Sequence, residues 1–350
     1  MSDHTHRPRR APGDGAAAAL RGVPTRRDAL RMLAVSGAAA LAWSAVRRGP
    51  GAAQPVSRSG LAMGTTLTLT VVDTDREAAA AAADATLAEM ARLETLLSAW
   101  QPDSQVSRLN ATARLDAPAP ALLDVLRLAA RISELGDGRF DLTVQPLLAL
   151  RRAAGGVPAA AAVEAARALV DWRRLRIDAA AVTLADPAMR ITVDGIATGY
   201  IIDRGVDVLR RRGFDRLLVD VGGDILVGGE PAPGRPWYVG ARHPRPGPAL
   251  LGRAAVRDAA IATSGDYQHA FSADRRHHHI VDPRSGDSPP ELASSTVIAP
   301  DCVTADALST LTLVLGARRG RELLAALPGC EGLFVAKDLT VTRTEGFPLA

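Results

Sequence analysis

Cysteine is nearly absent: Cys302 and Cys330 are the only two in 350 residues. Two are too few for a disulfide framework, and they lack metal-site spacing. They could pair outside the cytoplasm, but two ordinary buried thiols is the simpler reading. Long apolar runs are also missing. After residue 53 nothing approaches the ~20 residues of a membrane helix, so the remainder is expected to be soluble. A basic excess is missing where it would matter. The chain carries a net +4 with a pI near 9.6, yet residues 1–53 hold nine Arg against Asp3, Asp14 and Asp28, a net of +6. The other residues are therefore at −2, which argues against nucleic-acid binding. There is no internal repeat. The basic residues are almost all Arg and the apolar ones heavily Ala, a bias of nucleotide composition without functional content.

What is present begins with a leader. Thr25-Arg26-Arg27-Asp28-Ala29-Leu30-Arg31 precedes an apolar run from Met32 to Val46, then Arg47-Arg48-Gly49-Pro50-Gly51-Ala52-Ala53. Basic region, short apolar stretch and small-residue site form an export signal, and the paired arginines resemble a twin-arginine signal, with Ala29 where Phe is usual. The expectation is residues 1–53 as a signal, a periplasmic location, and one domain over 54–350. An uncleaved anchor and a disordered basic tail are the competing readings. With 47% apolar residues the domain can bury a full core.

Thr65 to Val72 alternates Thr with Leu and Val as a strand. Asp75 to Leu97 reads as a long helix with Leu87, Met90, Leu93 and Leu97 on one face. Ala121 to Leu135 and Ala159 to Val170 are further helices. From Arg174 short strands such as Leu217 to Val221 and Trp237 to Gly240 are cut by Gly and Pro turns. Helices return at Ile201 to Arg211, Ala305 to Leu315 and Arg318 to Leu327. Mixed elements without regular alternation predict an α+β fold.

Several segments display polar residues in turn-rich surroundings, where a scaffold usually presents a site. Met63-Gly64-Thr65 precedes the first strand, and Gly64 suits either close ligand approach or a simple turn. Trp100, before the Pro102 turn, offers a flat face for a planar ring, or packs in the core. In Gly138-Arg139-Phe140-Asp141-Leu142-Thr143-Val144 an extended chain would point Asp141 and Thr143 to one side. Val193-Asp194-Gly195-Ile196-Ala197-Thr198-Gly199-Tyr200 leads into a helix carrying Asp203 and Arg204, and such an entry can cradle phosphate oxygens. Val219-Asp220-Val221-Gly222-Gly223-Asp224 reads as a strand and tight turn. His277-His278-His279 follows Thr263-Ser264-Gly265-Asp266-Tyr267. Neighbours on a strand face opposite ways, so the three cannot share one ion, and His279 beside Asp282-Pro283 is the useful one. Asp306 and Thr310, i and i+4 on a helix, aim a carboxylate and a hydroxyl together. Hard oxygen donors in small number suit Mg²⁺ beside a phosphate; an ordinary Asp near a helix start is the alternative.

In order, and across essentially everything after the leader, these segments resemble the ApbE family of FAD:protein FMN transferases. The resemblance joins Met63-Gly64-Thr65, Pro102-Asp103-Ser104, Phe140 to Val144, Gly199-Tyr200 with Asp203, Gly222-Gly223, Thr263 to Tyr267, His279 to Pro283 and Ala305-Asp306. It implies an α+β domain with an antiparallel-rich sheet and a cleft for FAD. It further implies Mg²⁺ held by Asp306, Thr310 and the Gly195 carbonyl, and an FAD site lined by Met63, Phe140, Asp141, Thr143, Thr198 and Val281. Trp100 stands where relatives often have Tyr, and either ring could stack on the flavin. His279 is the expected proton acceptor, as an imidazole titrating near neutral pH, and Asp306 is the second catalytic candidate. Two departures stand out: Thr198 where many relatives have Lys or Glu, and Thr192 where they often have Asp, with Asp194 two residues on. The uncharged residue before Gly199 is similar to the branch found with nitrous-oxide reductase maturation. The implied partners are FAD and an acceptor flavoprotein subunit of an exported or membrane redox complex. An FAD pyrophosphatase and a non-catalytic flavin-binding protein are the alternatives.

Overall fold

The computed structural model describes residues 52–247 and 250–350; the export-signal reading lies outside them apart from Ala52 and Ala53. Strands β1 (Gln54–Ala62) and β2 (Thr65–Asp73) pair as a hairpin. Its turn, Met63-Gly64, has φ of 50° and 73°, the left-handed backbone that matches the twist of paired strands. Glycine adopts this freely, whereas Met63 is held there at a cost of about 1–3 kcal/mol.

Helix α1 (Arg76–Leu97) follows, with Asp75 as its N-cap accepting from the Ala78 N–H at 2.9 Å. Then come α2 (Gln105–Thr112), β3 (Arg114–Asp116), α3 (Pro120–Leu135), α4 (Gln145–Ala153), α5 (Ala160–Arg167), β4 (Leu175–Ile177) and β5 (Ala181–Leu184). The second half contains α6 (Ala197–Arg211), β6 (Leu217–Val221), β7 (Asp224–Gly228), β8 (Trp237–Arg242), β9 (Leu250–Val256), β10 (Ala259–Gly265) and β11 (Leu292–Ala299). It closes with α7 (Cys302–Leu315), α8 (Ala317–Ala325), β12 (Glu331–Ala336) and β13 (Val341–Arg343).

The main sheet runs β1-β2-β6-β7-β10-β11-β12-β13 with antiparallel neighbours throughout. The α+β, antiparallel-rich expectation therefore holds. Period-two alternation sorts its side chains into two cores. Leu67, Leu69, Val71, Leu217, Val219, Leu226, Ala262, Val297 and Phe334 face α1, α6 and α7. Val72, Leu218, Ile225, Val227, Ile261, Ile298 and Leu333 face the β8–β9 hairpin, where Trp237, Val239 and Phe347 complete a smaller cluster. On α1 the buried Met90, Leu93 and Leu97 each contribute about 1.5–3 kcal/mol.

Three local expectations are corrected. Residues 140–144 are not extended: Asp141 caps a 3₁₀ turn, Leu142–Val144, that runs into α4. Residues 277–279 lie in an irregular loop touched only by an isolated bridge between Ala270 and His278, not on a strand. The helix read at Ala159 to Val170 shortens to α5, whose Ala-rich turns bury no side chain fully.

Candidate active site

The N-termini of α6 and α7 meet back to back. An ideal Cβ on Gly199 would lie 2.3 Å from the Cys302 carbonyl oxygen and 2.7 Å from the Val303 Cα, so only glycine permits this approach. Two carboxylates complete the junction. Asp203 of α6 accepts the Cys302 and Val303 N–H groups, both at 2.9 Å, while Asp301 accepts the Thr304 N–H. In the other direction, Oδ2 of Asp306 accepts the Gly199 N–H at 3.0 Å. A first-turn donor of α6, expected to face phosphate, is thus taken by Asp306.

Asp306 is 6% exposed, and burial pushes its carboxyl up to about 7; the Gly199 N–H opposes this and the nearby Asp194 and Asp203 charges add to it. Asp224, across the β6–β7 turn, is pushed well above the carboxylate range by desolvation and then by Asp306 and Asp220. Among the described residues no cation contributes to either shift. One helical turn beyond Asp306, the Thr310 hydroxyl lies 3.0 Å from Ser264 Oγ, which also meets Ser309 Oγ at 2.8 Å. Gly195 abuts the same place: its ideal Cβ would be 3.3 Å from Thr310 Oγ1 and 3.4 Å from Phe140 Cε2. Gly195, Phe140, Ser264, Asp306 and Thr310 therefore converge.

Among the described residues no three His, Cys, Asp or Glu side chains form a metal-binding group. A cation here would rely on a carboxylate, a hydroxyl and a main-chain oxygen, the sparse hard donor set that leaves room for water and phosphate. Carboxyls that resist ionising here are ones a bound cation would draw into the charged form.

The other candidates separate. Asp141 and Thr143 are buried and serve the loop: Asp141 Oδ1 accepts the Thr143 N–H and hydroxyl, both at 2.7 Å, and its Oδ2 accepts the Trp172 N–H. Thr143 Oγ1 in turn accepts the Asp171 N–H at 2.8 Å. Thr143 has no exposed surface, and its hydroxyl is shared between Asp141 and the Asp171 N–H. Val281 is likewise buried at 5% exposure. Met63 sits half-buried at the edge of the main core, and Thr198 half-buried in the first turn of α6. Of the two departures, Thr192 is buried and its Oγ1 accepts the Asp194 N–H, whereas Asp194 projects outward.

Trp100 is 65% exposed, so the core alternative is excluded. His279 packs edge-on against His269, ring centroids 5.3 Å apart, and its Nδ1 is buried with no partner among the described residues. Burial, then His269, His278 and Arg152, drive its pKa down to about 3. The imidazole is therefore neutral at physiological pH rather than half-protonated, a correction to the expectation of titration near 7. The three histidines do part ways. His277 pairs with Asp287 at 3.1 Å, and His278 is buried beside Ser288, whose hydroxyl accepts the His278 N–H at 2.9 Å. Arg151 pins this loop to α4. Its Nε donates to the Gly286 carbonyl at 2.7 Å, its Nη1 donates to the Gly156 carbonyl at 2.8 Å, and it pairs with Asp287.

Sequence reasoning passed over Ser264, Asp224, Arg151 and Arg152. Ser264 and Asp224 stood inside quoted segments; nothing in the spacing of the two arginines announced them. Surface hollows beside Glu89, Arg92 and Arg211, and beside Glu291 and Arg318, contain none of these groups.

Comparison with known proteins identifies the family. The model of the ApbE family matches residues 63–334. An FAD:protein FMN transferase of Klebsiella pneumoniae is 32% identical over 259 residues, covering 71% of this chain and 79% of its own. One from Treponema pallidum is 32% identical over 283 residues, covering 72% and 76%. The crystal structure of the ApbE protein from Thermotoga maritima superposes with a TM-score of 0.76 at 28% identity, over 85% of this chain and all of that one. The flavin transferase ApbE from Vibrio cholerae gives 0.73 at 28% identity with the same coverage. A match that spans β2 to β11, both helix N-termini and the histidine loop leaves one conclusion: the chain belongs to the ApbE family.

Proposed function

We propose that the protein is an FAD:protein FMN transferase that divides FAD at its diphosphate and leaves FMN on a Ser or Thr of an acceptor flavoprotein. The observation that carries this reading is the α6–α7 junction, where Asp306 accepts the Gly199 N–H one helical turn from Thr310, and Thr310 abuts Gly195. Asp306, Thr310 and the Gly195 carbonyl are the groups to hold Mg²⁺. Bound there, the ion would neutralise diphosphate charge, the main help that phosphoryl transfer needs.

The acceptor hydroxyl attacks the FMN phosphorus. A P–O bond forms to the acceptor oxygen, the bridging P–O bond of the diphosphate breaks, and AMP departs with its electron pair. His279, whose Nδ1 is buried with no partner among the described residues, is the candidate to take the hydroxyl proton once the acceptor is docked. Gly199 and Asp203 touch no reacting atom in this scheme; they hold the two helix starts together.

The test is incubation with FAD, Mg²⁺ and a candidate acceptor, followed by a denaturing gel. Covalent flavin fluorescence on the acceptor with one AMP released per flavin is the expected result. Free FMN and AMP without labelled acceptor would replace transfer by hydrolysis, and intact FAD would leave only binding. The export-signal pattern of residues 1–53 supports a periplasmic site of action, on acceptors of exported or membrane redox complexes. Fusion of residues 1–53 to a reporter that requires twin-arginine transport tests this part separately.

A further inference from the structure

Trp100 carries an open indole in a chain with few aromatic residues, and its ring is not loose. Its backbone N–H donates to Ser98 Oγ at 3.2 Å, and its indole N–H faces the Asp194 carboxylate. Over one face lies the guanidinium of Arg152, 4.5 Å from the ring centroid, delivered by the last turn of α4. Arg152 is exposed and forms no ion pair within 4 Å among the described residues; Asp194 and His279 feel its charge at longer range. A guanidinium that could hydrate freely, or extend toward Asp194, instead covers an aromatic face. The neighbouring Arg151 explains the geometry. Its buried bonds to the Gly156 and Gly286 carbonyls fix the end of α4, so the adjacent side chain leaves the helix on the Trp100 side.

We propose that Arg152 is a positioning residue that backs the indole of Trp100, fixing its plane and reserving the opposite face for the isoalloxazine ring of the flavin. The inference rests on the flavin reading above and adds a residue which that reading does not use. Arg152 covers one face of the ring, while Ser98 holds the Trp100 backbone. The remaining face is the one a planar ligand can cover. A cation behind an indole restricts its rotamers without filling the stacking surface, so ordering is done before the ligand arrives.

The test uses riboflavin, which has the ring without the phosphates, so that neither metal nor turnover enters. Riboflavin fluorescence is titrated with wild type, Arg152→Ala, Arg152→Lys, Trp100→Ala and the Trp100→Ala/Arg152→Ala double variant. Stacking on Trp100 quenches the flavin. Arg152→Ala is expected to weaken binding about twofold to fivefold, the value of an exposed cation–π contact. Arg152→Lys, which keeps the charge, should recover part of the loss. In the Trp100→Ala background the Arg152 change should have no further effect, because the ring it braces is gone. Equal or tighter riboflavin binding by Arg152→Ala would overturn the proposal, since the guanidinium would then be idle or an obstacle. An unchanged Arg152 effect without Trp100, or failure of wild type to quench riboflavin, would overturn it too. If quenching follows this pattern while FAD, Mg²⁺ and acceptor yield no transfer, the transferase reading fails and the Arg152 assignment stands.

Discussion

The Asp306 carboxylate accepts the backbone N–H of Gly199 across a junction so tight that a single methyl group on Gly199 would enter the Cys302 carbonyl. One hydrogen bond thus links the residue assigned to the metal with the helix start that places Gly195.

Removing that carboxylate separates chemistry from folding. Asp306→Ala is expected to lower FMN transfer by about a hundredfold or more, the scale on which a charge-stabilising group acts in a transition state. Its melting temperature should change little, because relief of the buried acid offsets the Gly199 N–H left without its acceptor. In-gel flavin fluorescence and thermal unfolding measure the two effects, and transfer near the wild-type rate would remove the metal assignment.

Gly199→Ala tests the junction itself. The added Cβ meets main chain rather than a movable side chain, so α6 or α7 must shift, at a cost of about 1–3 kcal/mol for an overpacked core. Denaturant unfolding should give that loss together with a fall in transfer. An alanine variant of wild-type stability would contradict the close helix approach.

Asp203 makes stability depend on pH in an identifiable direction. Burial raises its carboxyl from 3.8 to about 6, against the pull of the Cys302 and Val303 N–H groups. Between those values the unfolded chain releases a proton that the folded chain keeps, so stability from this group falls as pH rises from about 4 to 6 and levels off above. The drop amounts to about 3 kcal/mol at most. Asp203→Asn removes this titration. The stability difference, wild type minus Asp203→Asn, should decline between pH 4 and 6.5 in denaturant titrations; a rising difference would refute the assignment.

Arg151→Met should loosen the histidine loop. The change leaves the Gly286 and Gly156 carbonyls without their buried donor, each worth about 1–3 kcal/mol. Hydrogen exchange should accelerate across residues 269–287, and kcat should fall more than the KM for FAD as His279 loses its fixed position. Unchanged exchange in that loop would show that Arg151 is not its anchor.

Much of this was legible in the sequence because local physics set it. The apolar spacing of Met90, Leu93 and Leu97 specified α1, and alternation specified β2 and β6 to within a residue of their ends. Asp306 and Thr310 share a helix, so their i, i+4 spacing was enough to place them side by side. Asp141 and Thr143 misled because alternation along an extended chain and a capped 3₁₀ turn both bring residues i and i+2 together, and only the backbone decides which. His279 was readable as a site residue but not as a neutral one, since its titration depends on burial and on His269, ten residues away in the chain. The contacts of Arg152 and Ser264 depend on which elements meet after folding, which no local pattern records.

The hairpin that opens the domain has a bearing on maturation. Gln54 already pairs with Asp73, and pairing continues without a break to Ala62 opposite Thr65. Any peptidase that trims the amino end has to cut before Gln54, for a scissile bond even a few residues later would peel off the outermost strand and bare the edge of β2 to other chains. Should residues 1–53 be removed as their export pattern implies, the cut and the sheet would share a single border.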